Sequence, residues 1–300
     1  PQKHSNFFFL KKFQQLTINW LSTTVSLSIS LFLFFALKPN EKISIQSEFS
    51  IPSSSILLSR SGLVKKIEEK LSMQKEIKTL ALVGQGGAGK TTLACQYAQS
   101  QSYQIIWEIN AETRNSFIAS FESLALALSR TENEKRIIKN LQEIKDTNER
   151  EKILFSFIKI HLKKYPDWLL IFDNVDTFSD IQNYFPCDSR IWGEGKIIVT
   201  TRDENIQNNN LINHVIYIDE LTSIEKEQLF SSIMEINEND KEKDSIKAFL
   251  THIPSLPLDI SIAAYYLKAT NISYEQYHEN LKLYTPEFSN LQKDILENAN

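Results

Sequence analysis

Leu80-Ala-Leu-Val-Gly-Gln-Gly-Gly-Ala-Gly-Lys-Thr-Thr92 decides how this 300-residue chain is read. Residues 80–83 form a continuous apolar run, the pattern of a strand buried on both faces. The next nine positions, Gly84, Gln85, Gly86, Gly87, Ala88, Gly89, Lys90, Thr91 and Thr92, open with the eight of GxxxxGK[ST]. Residues 91–98 then place Leu93, Ala94, Tyr97 and Ala98 on one helical face. A strand, a glycine loop and a helix in that order make a phosphate cradle. The glycines let successive backbone N–H groups turn inward, and the helix offers its positive end to the same anion. In such a loop Lys90 reaches the β- and γ-phosphates and the Thr91 hydroxyl ligates Mg²⁺.

Glycine usage sharpens this reading. The chain has 7 glycines, against about 21 expected at ordinary usage, and four of them stand in the loop. A chance match to the motif in so glycine-poor a chain has an expected count on the order of 10⁻³. That rarity argues against the alternative, a glycine-rich turn that merely caps a helix.

A cradle of this kind needs an acid for the metal at the end of a neighbouring strand. Trp168-Leu-Leu-Ile-Phe-Asp-Asn174 supplies an apolar strand that ends in a carboxylate, so Asp173 is the candidate Mg²⁺ acid beside Thr91. Lys196-Ile-Ile-Val-Thr-Thr-Arg202 is a third buried strand with a polar end. Open α/β sheets bind ligands at that edge, which makes Arg202 a candidate to meet the γ-phosphate. A GTPase is disfavoured, because no NKxD or DxxG follows the loop.

Further strands are predicted at 104–109, 168–172, 196–200 and 215–218, with helices at 62–75, 117–128, 134–144 and 150–162. Strands alternating with helices imply a parallel sheet covered on both faces. From residue 223 onward only helices are predicted, at 223–234, 241–252, 256–268 and 274–284. The fold class is therefore α/β, a P-loop NTPase with a parallel sheet flanked by helices (57–220), followed by a small all-α subdomain (221–300). The serine-rich stretch 39–56, with Pro39 and Pro52, reads as a linker. The charge-dense runs 131–152 and 235–247 read as solvated helix faces and loops.

The remaining composition excludes other chemistry. The net charge of −4 gives no nucleic-acid footprint. Cys95 and Cys187 show no CxxC, which excludes a disulfide scaffold or zinc ribbon and leaves both as reduced core thiols. His4, His161, His214, His252 and His278 have no metal-ligand spacing, and there is no GxSxG elbow for Ser-His-Asp catalysis.

The N-terminal segment 1–38 differs from the rest: residues 1–40 hold four lysines and no acid, leaving 29 basic against 37 acidic residues beyond them. Residues 13–37 carry no charge, long enough for a helix at about 14–37 to cross a ~30 Å hydrocarbon core. Trp20 sits where an interfacial aromatic anchors such a span. Against this, six of the nine residues from 22 to 30 are Ser or Thr, and 25–31 alternate with period two. A membrane anchor fits better than a signal peptide, whose apolar region is shorter, and a hydrophobic segment of other use stays open. The lysines on the two sides nearly balance, so orientation is not set.

The loop GxGGxGKTTLA, the strand LLIFDN, the strand end IIVTTR and then Ile253-Pro-Ser-Leu-Pro-Leu-Asp259 resemble, in order, the signatures of NB-ARC nucleotide-binding domains, members of the STAND class of signalling NTPases. Trp107-Glu-Ile-Asn-Ala-Glu112 is similar to the second strand of bacterial NB-ARC proteins with tetratricopeptide repeats. The resemblance covers about residues 56–285. It implies an ATP/ADP-binding switch using Mg²⁺, with Pro257 against adenine and Arg60 contacting the nucleotide, although Ser59 replaces the usual preceding glycine. Asn174 stands where the family often has a second acid, and an amide cannot accept a proton as a carboxylate does, so at most slow ATP hydrolysis is implied. The family's winged-helix domain and MHD motif have no counterpart here, which implies a fragment.

The expected function is a nucleotide-controlled switch that binds protein partners or itself, with its nucleotide-binding domain in the cytosol and membrane contact through 14–37. A catalytic ATPase or phosphotransferase is the alternative, and a scaffold that binds no nucleotide is the third.

Overall fold

The computed structural model describes residues 44–47, 58–72, 76–165, 167–236, 243–283 and 286–299. The apolar stretch 14–37 lies outside them. Among the described residues no helix is long and apolar enough to cross a membrane.

Six strands form one parallel sheet: β1 (Ile45–Gln46), β2 (Lys78–Val83), β3 (Ile105–Asn110), β4 (Trp168–Asp173), β5 (Gly195–Thr201) and β6 (His214–Tyr217), in the order β1-β3-β4-β5-β2-β6. Side chains alternate across a strand, so each central strand feeds two cores. Ala81 and Val83 of β2 join Leu170 and Phe172 of β4 on one face, while Leu80 and Leu82 join Leu169 and Ile171 on the other. Every residue of β4 is buried, which explains why its sequence is a continuous apolar run.

The first face is covered by α3 (Arg114–Leu128), α4 (Glu132–Asn140) and α5 (Thr147–Leu162). Phe117 and Phe121 of α3 meet Phe155 of α5 and Phe172 of β4, with the Phe121 and Phe155 ring centroids 4.7 Å apart. Edge-on aromatic pairs of this kind add about 0.5–1.5 kcal/mol beyond area burial. Each of these helices has a defined start. Thr113 and Ser116 cap α3 reciprocally, Thr131 and Glu134 do the same for α4, and Asp146 accepts from Asn148 N–H at 2.9 Å to begin α5. The second face is covered by α1 (Ser61–Leu71) and α2 (Lys90–Gln99), through Ile67, Leu71, Leu93 and Tyr97.

Two short helices, α6 (Phe178–Ile181) and α7 (Ser189–Trp192), lead from β4 to β5. Gly195 opens β5 against the face of Trp168, and a Cβ placed on it would stand 2.1 Å from the indole. No side chain fits there without moving the buried tryptophan.

The helical subdomain comprises α8 (Ser223–Met234), α9 (Lys243–Leu250), α10 (Pro257–Thr270), α11 (Tyr274–Leu283) and α12 (Pro286–Ala299) around Phe230, Ile233, Phe249, Ile260, Ala263, Ala264 and Tyr277. Buried Lys226 of α8 donates to Leu250 O at 2.7 Å, Ile253 O at 2.6 Å and Ser255 Oγ at 3.3 Å. It thereby pins the turn that runs into α10.

Four expectations change. The stretch read as linker contributes β1, because two extended residues suffice to pair with Ile105 and Ile106. The strand next to β2 on the β4 side is β5, so Asp173 is one strand further from the loop than a direct neighbour. Cys95 is buried as expected, but Cys187 is exposed, since it falls in the turn between the short helices. The charged run 131–152 is not wholly solvated. Glu151 is buried, where it accepts from Arg114 at 2.6 Å and from the Tyr184 hydroxyl at 2.5 Å.

Candidate functional site

The cradle is built where β2 ends. Gly84 follows Val83, Gly87 has φ +77° and Gly89 has φ +84°, both in the left-handed region that favours glycine. Gly89 then starts α2 without a side-chain cap, so the first N–H groups of that helix stay directed at the loop. Lys90 is buried, and its Nζ donates to Gly84 O and Gln85 O, each at 2.8 Å. Burial and then the positive Arg202 lower its pKa, with Asp173 opposing them.

Asp173 is the second anchor. Its Oδ1 accepts the hydroxyls of Thr91 at 2.7 Å and Thr200 at 2.6 Å. Thr200 Oγ1 in turn accepts from Asn174 N–H at 3.0 Å, and Asn174 adopts φ +56°. A buried carboxylate beside a hydroxyl, both hard oxygen donors, fits Mg²⁺ with phosphate oxygens and waters as its other ligands. No group of three or more His, Cys, Asp and Glu that would hold a metal by itself occurs among the described residues.

Gly86 to Thr92, Arg202, Arg60 and Pro257 all line one cavity of about 340 Å³, within the usual size of a small-molecule site. Gly84 and Gln85 face an adjoining cleft of about 460 Å³, and Arg202 lines both. The Arg202 guanidinium lies under the loop, within 3.3 Å of where a Gly86 Cβ would be. β5 brings Arg202 there because it is the strand between β2 and β4.

The helical subdomain closes the cavity. Leu258 N–H donates to Gly87 O at 3.2 Å, and a Cβ on Gly87 would come within 2.8 Å of Leu258 Cβ. Pro257, the first helical residue of α10, reaches 3.6 Å from the Cβ position of Gly89. The structure thus brings the proline and the phosphate loop together. Arg60 precedes α1 and uses Nε on Glu225 and Nη2 on Asp219 O, at 3.1 and 3.4 Å. Its Nη1 is buried with no partner among the described residues.

The sequence reading does not single out Thr200, buried behind Asp173, nor Leu58, Gln96, Leu229, Leu258 and Tyr265 of the cavity wall. Thr200 had a signal, as the first of two polar residues at the end of an apolar strand. The apolar ones had none, because cavity-lining and core positions have the same pattern on a helix.

The NB-ARC domain family matches residues 60–240. A nucleotide-binding leucine-rich repeat (NLR)-like protein of Hyaloscypha variabilis is 22% identical over 298 residues, covering 90% of this chain. The chain spans about 28% of that relative's length. Among solved structures, a STAND protein with a tetratricopeptide repeat sensor from Pyrococcus horikoshii is similar at 16% identity, with a TM-score of 0.44 over 78% of this chain and 32% of that one. A Walker-type ATPase of Pyrococcus abyssi is similar at 11% identity, with a TM-score of 0.52 over 83% of this chain and 79% of that one, a likeness of fold alone. With the cradle, the acid-bearing strand and the family match in agreement, this chain belongs to the NB-ARC domain family of STAND-class P-loop NTPases.

Proposed function

We propose that the chain is an ATP/ADP-binding switch, in which nucleotide state sets the position of the helical subdomain and thereby self-association or partner binding. The observation that carries this reading is the docking of α10 on the phosphate loop through Leu258 N–H and Gly87 O. Anything that alters the loop alters the support of that helix.

Residues Gly84 to Gly89 would surround phosphate with backbone N–H groups, and Lys90 would exchange its two carbonyl partners for phosphate oxygens. Thr91 and Asp173 would hold Mg²⁺, which neutralises phosphate charge when bound, and Thr200 keeps Asp173 oriented. Arg202, at the edge of the loop, would meet the γ-phosphate, Pro257 and the apolar cavity wall would hold adenine, and Arg60 would offer its positive charge to the nucleotide. Asn174, in the position where a general base would stand, cannot take a proton, which favours slow turnover and a long-lived bound form.

Lys90→Ala should abolish binding of Mg-ADP and Mg-ATP in isothermal titration. Unchanged affinity in that variant would overturn the reading. Sustained hydrolysis in the usual enzyme range, ~1 to 10³ s⁻¹, would point instead to a catalytic ATPase.

A further inference from the structure

Arg60 is held by two of its three nitrogens, and the third, Nη1, is enclosed without a partner among the described residues. Nε donates to Glu225 Oε1 at 3.1 Å and Nη2 donates to the Asp219 carbonyl at 3.4 Å. The side chain is 12% exposed and lines the same cavity as Lys90 and Pro257. A buried guanidinium N–H that meets no acceptor is costly, so its orientation has to be imposed by whatever binds the other nitrogens. Glu225 imposes it, and Glu225 belongs to the helical subdomain.

The carboxylate of Glu225 divides its work. Oε2 accepts from Thr222 N–H at 2.8 Å and from the Thr222 hydroxyl at 2.9 Å, closing the capping box of α8, and Oε1 is left for Arg60. Burial pushes this carboxyl up, but the Thr222 hydrogen bonds and the charge of Arg60 together outweigh it and hold it below the usual range. Glu225 is therefore ionised, and a charged pair links the residue that precedes α1 to the first turn of α8.

We propose that Glu225 is a positioning residue, which holds the Arg60 guanidinium in the wall of the nucleotide cavity and so links occupancy of the cavity to the first turn of α8. This rests on the nucleotide-binding reading above. It also gives the helical subdomain a grip on the ligand that does not run through α10. Nucleotide, Arg60 and α8 then act as one unit.

The test is a double-mutant cycle on the full chain, with Mg-ADP affinity as the readout. Glu225→Gln is the informative change, because glutamine at this position still closes a capping box while the charge is lost. Glu225→Gln should weaken ADP binding about tenfold, as expected for losing one charge-assisted hydrogen bond. Arg60→Met should weaken it at least as much. The double variant should be no weaker than Arg60→Met alone, since Glu225 acts through Arg60. Thr222→Ala removes the hydroxyl of the cap but leaves the Thr222 N–H on Oε2 and the Oε1 arm on Arg60, so it should lower the melting temperature and weaken ADP binding far less than Glu225→Gln does. That control separates positioning from helix stability.

Unchanged affinity in Glu225→Gln, additive losses in the double variant, or equal weakening by Thr222→Ala would each overturn the proposal. If Lys90→Ala abolishes ADP binding and Glu225→Gln does not weaken it, only this proposal falls. If the chain binds no ADP, or binds it without Lys90, the nucleotide-binding reading falls and this one with it.

Discussion

Single residues carry the site, and they were legible in the sequence to unequal degrees. Lys90, Thr91 and Asp173 could be assigned because each follows a pattern whose chemistry admits few substitutes, and the structure places Thr91 Oγ1 2.7 Å from Asp173 Oδ1. Glu225 could not, because an acid three residues after a threonine is fully accounted for by helix capping. Its second role depends on a residue 165 positions away. The cysteines give a test at this scale. Cys95 is buried on α2 with its thiol pushed well above the usual range, by burial first and then by Glu108, whereas Cys187 is exposed. The thiolate is the reactive form, so a maleimide should label Cys187 and spare Cys95 in the native chain, and both after denaturation. Equal labelling of the two in a folded sample, read by mass spectrometry, would contradict the packing of α2.

Among the elements, the strands were read best. β2, β4 and β5 are apolar because both faces are covered, and that constraint leaves a visible run in the sequence. β1 could not be read, since two residues carry no periodicity and its pairing with β3 depends on the fold around it. The order of strands was equally hidden. Nothing local in 195–201 says that β5 inserts between β2 and β4, yet that insertion carries Arg202 to the phosphate loop. Helix ends shifted by a few residues where caps decided them, as at Thr113 and Thr131. Gly195 offers an element-scale prediction. With its Cβ position 2.1 Å from the Trp168 indole, Gly195→Ala should destabilise the sheet by roughly 1–3 kcal/mol and lower the chemical denaturation midpoint. A variant as stable as the parent would mean that Trp168 does not pack as described.

On the scale of the whole molecule, the phosphate loop and the helical subdomain are parts of one site. Leu258 N–H on Gly87 O and Arg60 on Glu225 are two separate contacts between the cavity wall and the helical subdomain. Ligand binding should therefore stabilise the assembly as a whole. ADP at about 100 times its Kd should add roughly 2.7 kcal/mol to the unfolding free energy, seen as a rise in melting temperature of several degrees. The rise should vanish in Lys90→Ala, and a rise that survives that change would place the ligand elsewhere. One further consequence follows from Lys90 itself, whose ammonium is already satisfied by the carbonyls of Gly84 and Gln85. The lysine thereby ties the first two residues of the loop to the start of α2, so Lys90→Ala should loosen the loop itself as well as remove a cation from the cavity.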